Sequence, residues 1–217
     1  MNMFHHGITG NEPSSGLVYV KETATAVIGL IAFADDADPD FFPENIPVRI
    51  NNMNTGIAKA GYTGNLRRSL ETIQAIVNTT VVVVRIQDPF TMGEVGLQLD
   101  DSIVIGGINE SGERTGIQAL LTAKSILGIT PKINIAPDVE TADVVQALIS
   151  VNKKLRGYSY VNPRLPNGYL LPDAEAVVAY RDSLGDRELT LLYPEFISGN
   201  VLIGVEDSGE VIPPQAS

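Results

Sequence analysis

The sequence predicts an α/β fold: a mostly parallel sheet with helices on both faces, a three-layer sandwich, preceded by an extended N-terminal arm. Two observations predict the body, and a third leaves residues 1–24 as either an extended arm or a simple disordered terminus. Short β-branched runs alternate with helix-length amphipathic segments, the pattern of a parallel sheet built by crossover connections. The run TVVVVRI is apolar on both of its faces, as a strand covered on both sides must be. Residues 1–24 carry few apolar side chains apart from Leu17 to Val20, too few to fold alone.

Taken in order, AVIGLIAF from Ala26 reads as a buried strand, followed by the acidic loop DDADPD and the short strand PVRI. In NLRRSLETIQAIV, Leu66, Leu70, Ile73, Ile76 and Val77 share one helical face, and Asn65 stands at the N-cap position. TVVVVRI is the next strand, and SIVIG, ending at Gly106–Gly107, reads as another. A helix over residues 115–127 places Ile117, Leu120, Leu121 and Leu127 on one side. Gly128 is positioned for a left-handed cap, and Pro131 prevents continuation. KINIA is a strand. Thr141 caps a helix whose apolar face is Val144, Val145, Leu148, Ile149 and Leu155, with Lys153, Lys154 and Arg156 at its negative end. YSYV, a helix capped by Asp173, and the strands LTLLY and VLIGV complete the series. The expected organisation is an α/β body over 25–212, preceded by residues 1–24.

Composition narrows the function. Twenty-six acidic against 15 basic side chains give a net charge of −11, with no basic stretch to neutralise a phosphate backbone or an anionic lipid surface. Neither nucleic acid nor membrane is therefore an expected partner. No segment has the roughly 20 apolar residues of a membrane-spanning helix. There are no cysteines, which removes thiolate nucleophiles and cysteine-bound metals and suits a chain made in a reducing cytoplasm. The histidines, His5 and His6, lie in the arm, where a general base would be poorly positioned. Counted as a calcium loop from Asp36, the sixth position is Phe41 and the twelfth Pro47, so neither the required glycine nor the glutamate is present. GGINESGERTG lacks the spacing of a phosphate-binding loop, and Lys124 falls too far into the following helix to serve one. No catalytic residue, metal ligand or cofactor is predicted.

A set of segments resembles the tail sheath proteins of contractile phages and R-type pyocins. They are Gly106–Gly107, then Arg114-Thr115-Gly116, the apolar IQALLTAKS, and INIAP from Ile133 to Pro137. FHHGIT at the start, ATAVIG and NIPVRI fit the same family in order and spacing. The resemblance implies a structural subunit, not an enzyme. Such a subunit polymerises around an inner tail tube and contracts to drive that tube through a cell envelope. It implies as partners other sheath subunits, the inner tail tube protein and the baseplate, and as location the tail of a virion assembled in a bacterial host. It also implies an inter-subunit arm carrying Phe4, His6, Gly7, Ile8, Thr9, Leu17, Val18, Tyr19 and Val20, which adds a strand to a neighbouring subunit. Gly10 interrupts the alternation expected of that strand. By the same resemblance, residues 213–217 open a further C-terminal region. The alternatives left by the residues alone are a small α/β enzyme or nucleotide-binding protein with a site at the strand ends, and a binding module whose acidic surface docks a basic partner.

Overall fold

The computed structural model describes residues 27–93, 96–194, 197–198 and 201–202. The arm over 1–24, all nine of its named residues, and residues 213–217 lie outside them.

In chain order the elements are β1 (Ile28–Phe33), β2 (Val48–Ile50), α1 (Met53–Lys59), α2 (Leu66–Ile76), β3 (Val81–Ile86), β4 (Phe90–Gly93), β5 (Gly96–Leu99) and α3 (Asp101–Ile105). A 3-10 helix (Gly116–Thr122) runs into α4 (Ala123–Leu127) and β6 (Ile133–Ile135). Then follow α5 (Ala142–Leu155), β7 (Ser159–Val161), α6 (Ala174–Ser183), β8 (Leu189–Leu191), β9 (Ile197–Ser198) and β10 (Val201–Leu202).

The main sheet has the order β2-β3-β1-β6. β1 pairs in parallel with β3, from Ile28 opposite Val81 to Phe33 opposite Ile86, and in parallel with β6 on its other side. β2 runs antiparallel on β3 and makes one edge. A parallel bridge between Ile133 and Tyr158 connects β6 to β7, which pairs in parallel with β8. The sheet is thus parallel-dominated, as the alternating pattern predicts. Two antiparallel hairpins, β4-β5 and β9-β10, stand apart from it.

Alternate residues of β1 and β3 feed two apolar clusters. Leu30, Ala32, Val81 and Val83 pack with Ile57 of α1 and with Leu66 and Leu70 of α2. Ile31, Phe33, Val84 and Ile86 pack with Val104 of α3, Ile117 and Leu120 of the 3-10 helix, and Val144, Val145, Leu148 and Ile149 of α5. All six residues of β3 are buried, as the doubly apolar run requires. At the other end of the sheet a polar ring is sealed in: Asn134 donates to Asn152 (2.7 Å), Asn152 to Ser159 (2.7 Å), and Ser159 to the Asn134 carbonyl (2.6 Å).

The structure departs from the sequence reading at five places. SIVIG is not a strand; it belongs to α3, because Asp100 caps the segment by accepting the Ser102 N–H at 2.9 Å. A short β-branched run has no alternation to separate strand from helix, and the cap decides. The predicted helix over 115–127 begins as the 3-10 helix and becomes α-helical only from Ala123. Asn65 occupies the N-cap position of α2, but its side chain makes no cap hydrogen bond. Ile76 and Val77, assigned to the inward face of α2, are exposed at its frayed end. Finally, the sequence reading has no counterpart for α1, the β4-β5 hairpin or β9. Of the strand read over VLIGV, only Val201 and Leu202 lie among the described residues. The other elements follow the reading, including the caps by Thr141 and Asp173 and the left-handed Gly128.

Candidate functional site

Two places combine unusual backbone with convergent polar groups. The first is the turn between α3 and the 3-10 helix, where the sequence places Gly106, Gly107, Arg114, Thr115 and Gly116. Ile108 and Arg114 form an antiparallel bridge, so the segment doubles back on itself. At its neck the Thr115 N–H donates to the Gly107 carbonyl and the Gly107 N–H to the Thr115 hydroxyl, both at 3.0 Å. At its tip Asn109 holds Glu113: the Glu113 N–H reaches the Asn109 side-chain oxygen at 2.8 Å, and the Asn109 side-chain amide reaches the Glu113 carboxylate at 3.1 Å. Gly106 and Gly116 both have positive φ, +64° and +56°. Each is pressed against the other's strand so that no side chain fits. All five predicted residues therefore meet in one compact neck.

Asn45 also holds this neck, from 71 residues away in sequence. Its side-chain oxygen accepts the Gly116 N–H at 2.8 Å. It sits in the left-handed region itself, with φ of 59°. Its backbone N–H donates to Arg85 O at 2.7 Å, tying the loop after the acidic segment to the end of β3. An open groove of about 530 Å³ runs beside the turn, lined among others by Ile46, Pro47, Arg114 and Ile126. Arg114 and Thr115 are half-buried, whereas Ile108 at the turn is largely exposed.

The second place lies where β1 and β6 end. Asn65 accepts the Phe33 N–H at 3.0 Å and donates to Pro137 O at 2.7 Å and to Asp138 at 3.2 Å. Asp138, buried and at φ of 70°, also receives Arg68 from α2 and Arg164 from the loop after β7, the latter at 3.3 Å. Glu140, equally buried, faces Arg164 at 3.6 Å. Burial pushes the Glu140 carboxyl up to about 8 despite the pull of Arg164, with Asp138 adding to the rise. None of these residues was predicted as a site. The available signal was a pair of acids flanking Val139 directly after a strand, which alone does not reveal a distant arginine.

The chemistry of both places is structural. Among the described residues, neither brings a nucleophile to a base. Among the described residues no group of three or more His, Asp or Glu side chains could hold a metal ion, and no helix is long and apolar enough to cross a membrane. The turn offers a shaped, partly apolar surface; the buried cluster locks loops to strand ends.

Comparison with known proteins addresses what such a body belongs to. The chain is 35% identical over 199 residues to the tail sheath protein of Escherichia phage P2, which covers 91% of this chain and 49% of that protein. The chain is homologous to phage tail sheath proteins. It is also 35% identical over 201 residues to the major tail sheath protein of Serratia phage KSP20, covering 93% of this chain and 49% of the relative. A putative prophage major tail sheath protein of Pseudomonas aeruginosa strain UCBPP-PA14 is 30% identical over 193 residues, 88% of this chain and 47% of that sheath protein. The chain thus spans about half the length of the curated sheath proteins it matches. No family model matches it. The resemblance drawn from the sequence motifs is therefore sustained by similarity along nearly the whole chain.

Proposed function

We propose that this chain supplies the α/β body of a tail sheath subunit, a structural element that polymerises with its own kind around an inner tail tube. The observation that carries this reading is the 35% identity to two phage sheath proteins over at least nine-tenths of the chain. In this reading the body, residues 25–212, is a three-layer sandwich that moves as a rigid unit during contraction. The arm over 1–24, with Phe4, His6, Gly7, Ile8, Thr9, Leu17, Val18, Tyr19 and Val20, adds a strand to a neighbouring subunit. Main-chain hydrogen bonds then keep the lattice connected while bodies rotate. Residues 213–217 open the region that carries the tube-facing surface. The energy of contraction resides in contacts between subunits, so the chain acts without catalysis. The baseplate and the inner tube protein are its further partners, and its place is the tail of a virion or tail-like particle assembled in host cytoplasm.

Two features of the fold suit such a role. The core strands are buried on both faces, which makes the sheet a stiff plate able to transmit force. The neck at Gly106 and Gly116 fixes a protruding turn whose apolar residue Ile108 faces solvent.

Deletion of residues 1–20 tests the proposal. Negative-stain microscopy should show loss of tubes and rings from the sheath protein that carries this body, while circular dichroism and the melting midpoint of the body stay unchanged. Normal tubes from the deletion would overturn the role of the arm. Failure of the undeleted protein to form any tube or ring, with or without its inner tube, would overturn the sheath reading.

A further inference from the structure

The Asp138–Glu140–Arg164 cluster holds a loop as well as a strand end. Residues 162–171 connect β7 towards α6 and fold back on themselves. The Leu165 N–H donates to Tyr169 O at 2.7 Å, Gly168 N–H to Leu165 O at 2.9 Å, and Leu171 N–H to Pro163 O at 3.3 Å. Arg164 fastens the loop at both levels. Its backbone N–H donates to Glu140 O at 3.0 Å, and its side chain reaches Gly168 O at 2.9 Å. Its guanidinium and the two acids it faces are nearly inaccessible, with side chains between 5% and 7% exposed.

Two carboxylates compete here for the same cation. Asp138 is served on both oxygens, by Arg68 on one and Arg164 on the other. What remains for Glu140 is the Nε of Arg164 at 3.6 Å, beyond hydrogen-bond reach, and the backbone N–H groups of Asn162 and of Glu140 itself. One Glu140 oxygen, Oε2, is buried without a hydrogen-bond partner. Among the described residues, two further acids stand beside the cluster: Asp101, which accepts the Thr141 hydroxyl at 2.8 Å, and Asp143 in the first turn of α5. An ionised Glu140 would thus stand in a buried site with its cation already engaged, an arrangement whose desolvation cost exceeds its Coulombic return. Beside it lies a cavity of about 200 Å³ lined by Asp101, Thr141, Arg164, Leu165 and Tyr180, large enough to admit water if the loop lifts.

We propose that Glu140 and Arg164 form a proton-operated latch on the 162–171 loop: the loop is seated when Glu140 carries a proton and loosens when Glu140 ionises. The direction of the Glu140 shift agrees with the geometry, since burial moves it from the ordinary 4.5 to about 8. The seated loop then binds one proton more than the lifted loop throughout that interval. Seating is strongest at or below the ordinary carboxyl value, weakens as pH rises, and levels off above about 8. The latch concerns the body itself and does not rest on the sheath reading.

Hydrogen–deuterium exchange of the full chain, with rates corrected for intrinsic base catalysis, provides the test. Between about pH 5.5 and 7.5 the amides of residues 164–171 should lose protection by up to about tenfold per pH unit. Amides of β1 and β3 should not follow them. Glu140→Gln, which mimics the protonated acid, should remove the slope and keep the loop protected. A flat profile in the unsubstituted chain, or an equal slope in Glu140→Gln, overturns the proposal. Carbon-13 NMR of the Glu140 carboxyl decides independently of any variant. A transition near 8 supports the latch, and one in the ordinary carboxylate range overturns it.

Discussion

Gly106 and Gly116 stand backbone to backbone at the neck of the 107–115 turn, so that a Cβ added to Gly116 would lie 2.7 Å from the Gly106 nitrogen. Each supplies a residue of positive φ where α3 ends and the 3-10 helix begins. Gly116→Ala meets both the steric conflict and the unfavourable φ, and should destabilise the chain by about 2–4 kcal/mol in urea unfolding. Gly107, one residue further on, has open space where its Cβ would be. Gly107→Ala should stay within roughly 0.5 kcal/mol of the unsubstituted chain. The pair of measurements separates a positional requirement from a general dislike of substitution in this turn.

Asn65 bridges β1, α2 and the loop after β6 through one side chain. Asn65→Ala should cost about 2–3 kcal/mol by leaving the buried Phe33 N–H and Pro137 carbonyl without their partner. Asn65→Ser offers a good helix cap but cannot reach those groups. Its loss should equal that of Asn65→Ala within a few tenths of a kcal/mol, whereas a capping role would predict rescue.

Asp36 fastens the acidic loop to the turn before α2. Desolvation alone would raise its carboxyl, but the Thr63 hydroxyl and the N–H groups of Tyr62 and Thr63 together hold it below its ordinary 3.8. A depressed carboxyl contributes stability above its unfolded value, and that contribution is lost as pH falls through the folded one. Asp36→Asn should therefore be less stable than the unsubstituted chain at neutral pH, with the gap narrowing below about pH 4. Thermal melts of both proteins across that range check the sign, which would be reversed for an acid destabilised by its surroundings.

Much of the body was legible because its signals are local. Thr141 and Asp173 each accept an N–H three residues on, and Gly128 takes the left-handed cap; spacing alone reveals such features. The VVVV of β3 announces a sheet buried on both sides. SIVIG failed because three consecutive β-branched residues carry no period, and Asp100, the residue that settles the matter, precedes the run. The site was legible only in part for a different reason. The five turn residues lie within eleven positions and could be grouped by eye. Asn45 meets Gly116, and Arg68 meets Asp138, across about 70 residues of chain, and no local pattern encodes those meetings. The residues of the arm lie outside the described structure, so their role rests on the proposal above.

The division of the core by β1 and β3 has a mechanical meaning. Leu70 and Leu148 belong to different apolar clusters, the first fed by Leu30, Ala32, Val81 and Val83 and the second by Ile31, Phe33, Val84 and Ile86. Truncating either to alanine should cost about 2–5 kcal/mol, and the double variant should show the simple sum within about 0.5 kcal/mol. A plate insulated in this way lets one face be loaded, repacked or altered by mutation while the opposite face keeps its register. The same partition that buries the strands makes the two surfaces of the subunit independently adjustable.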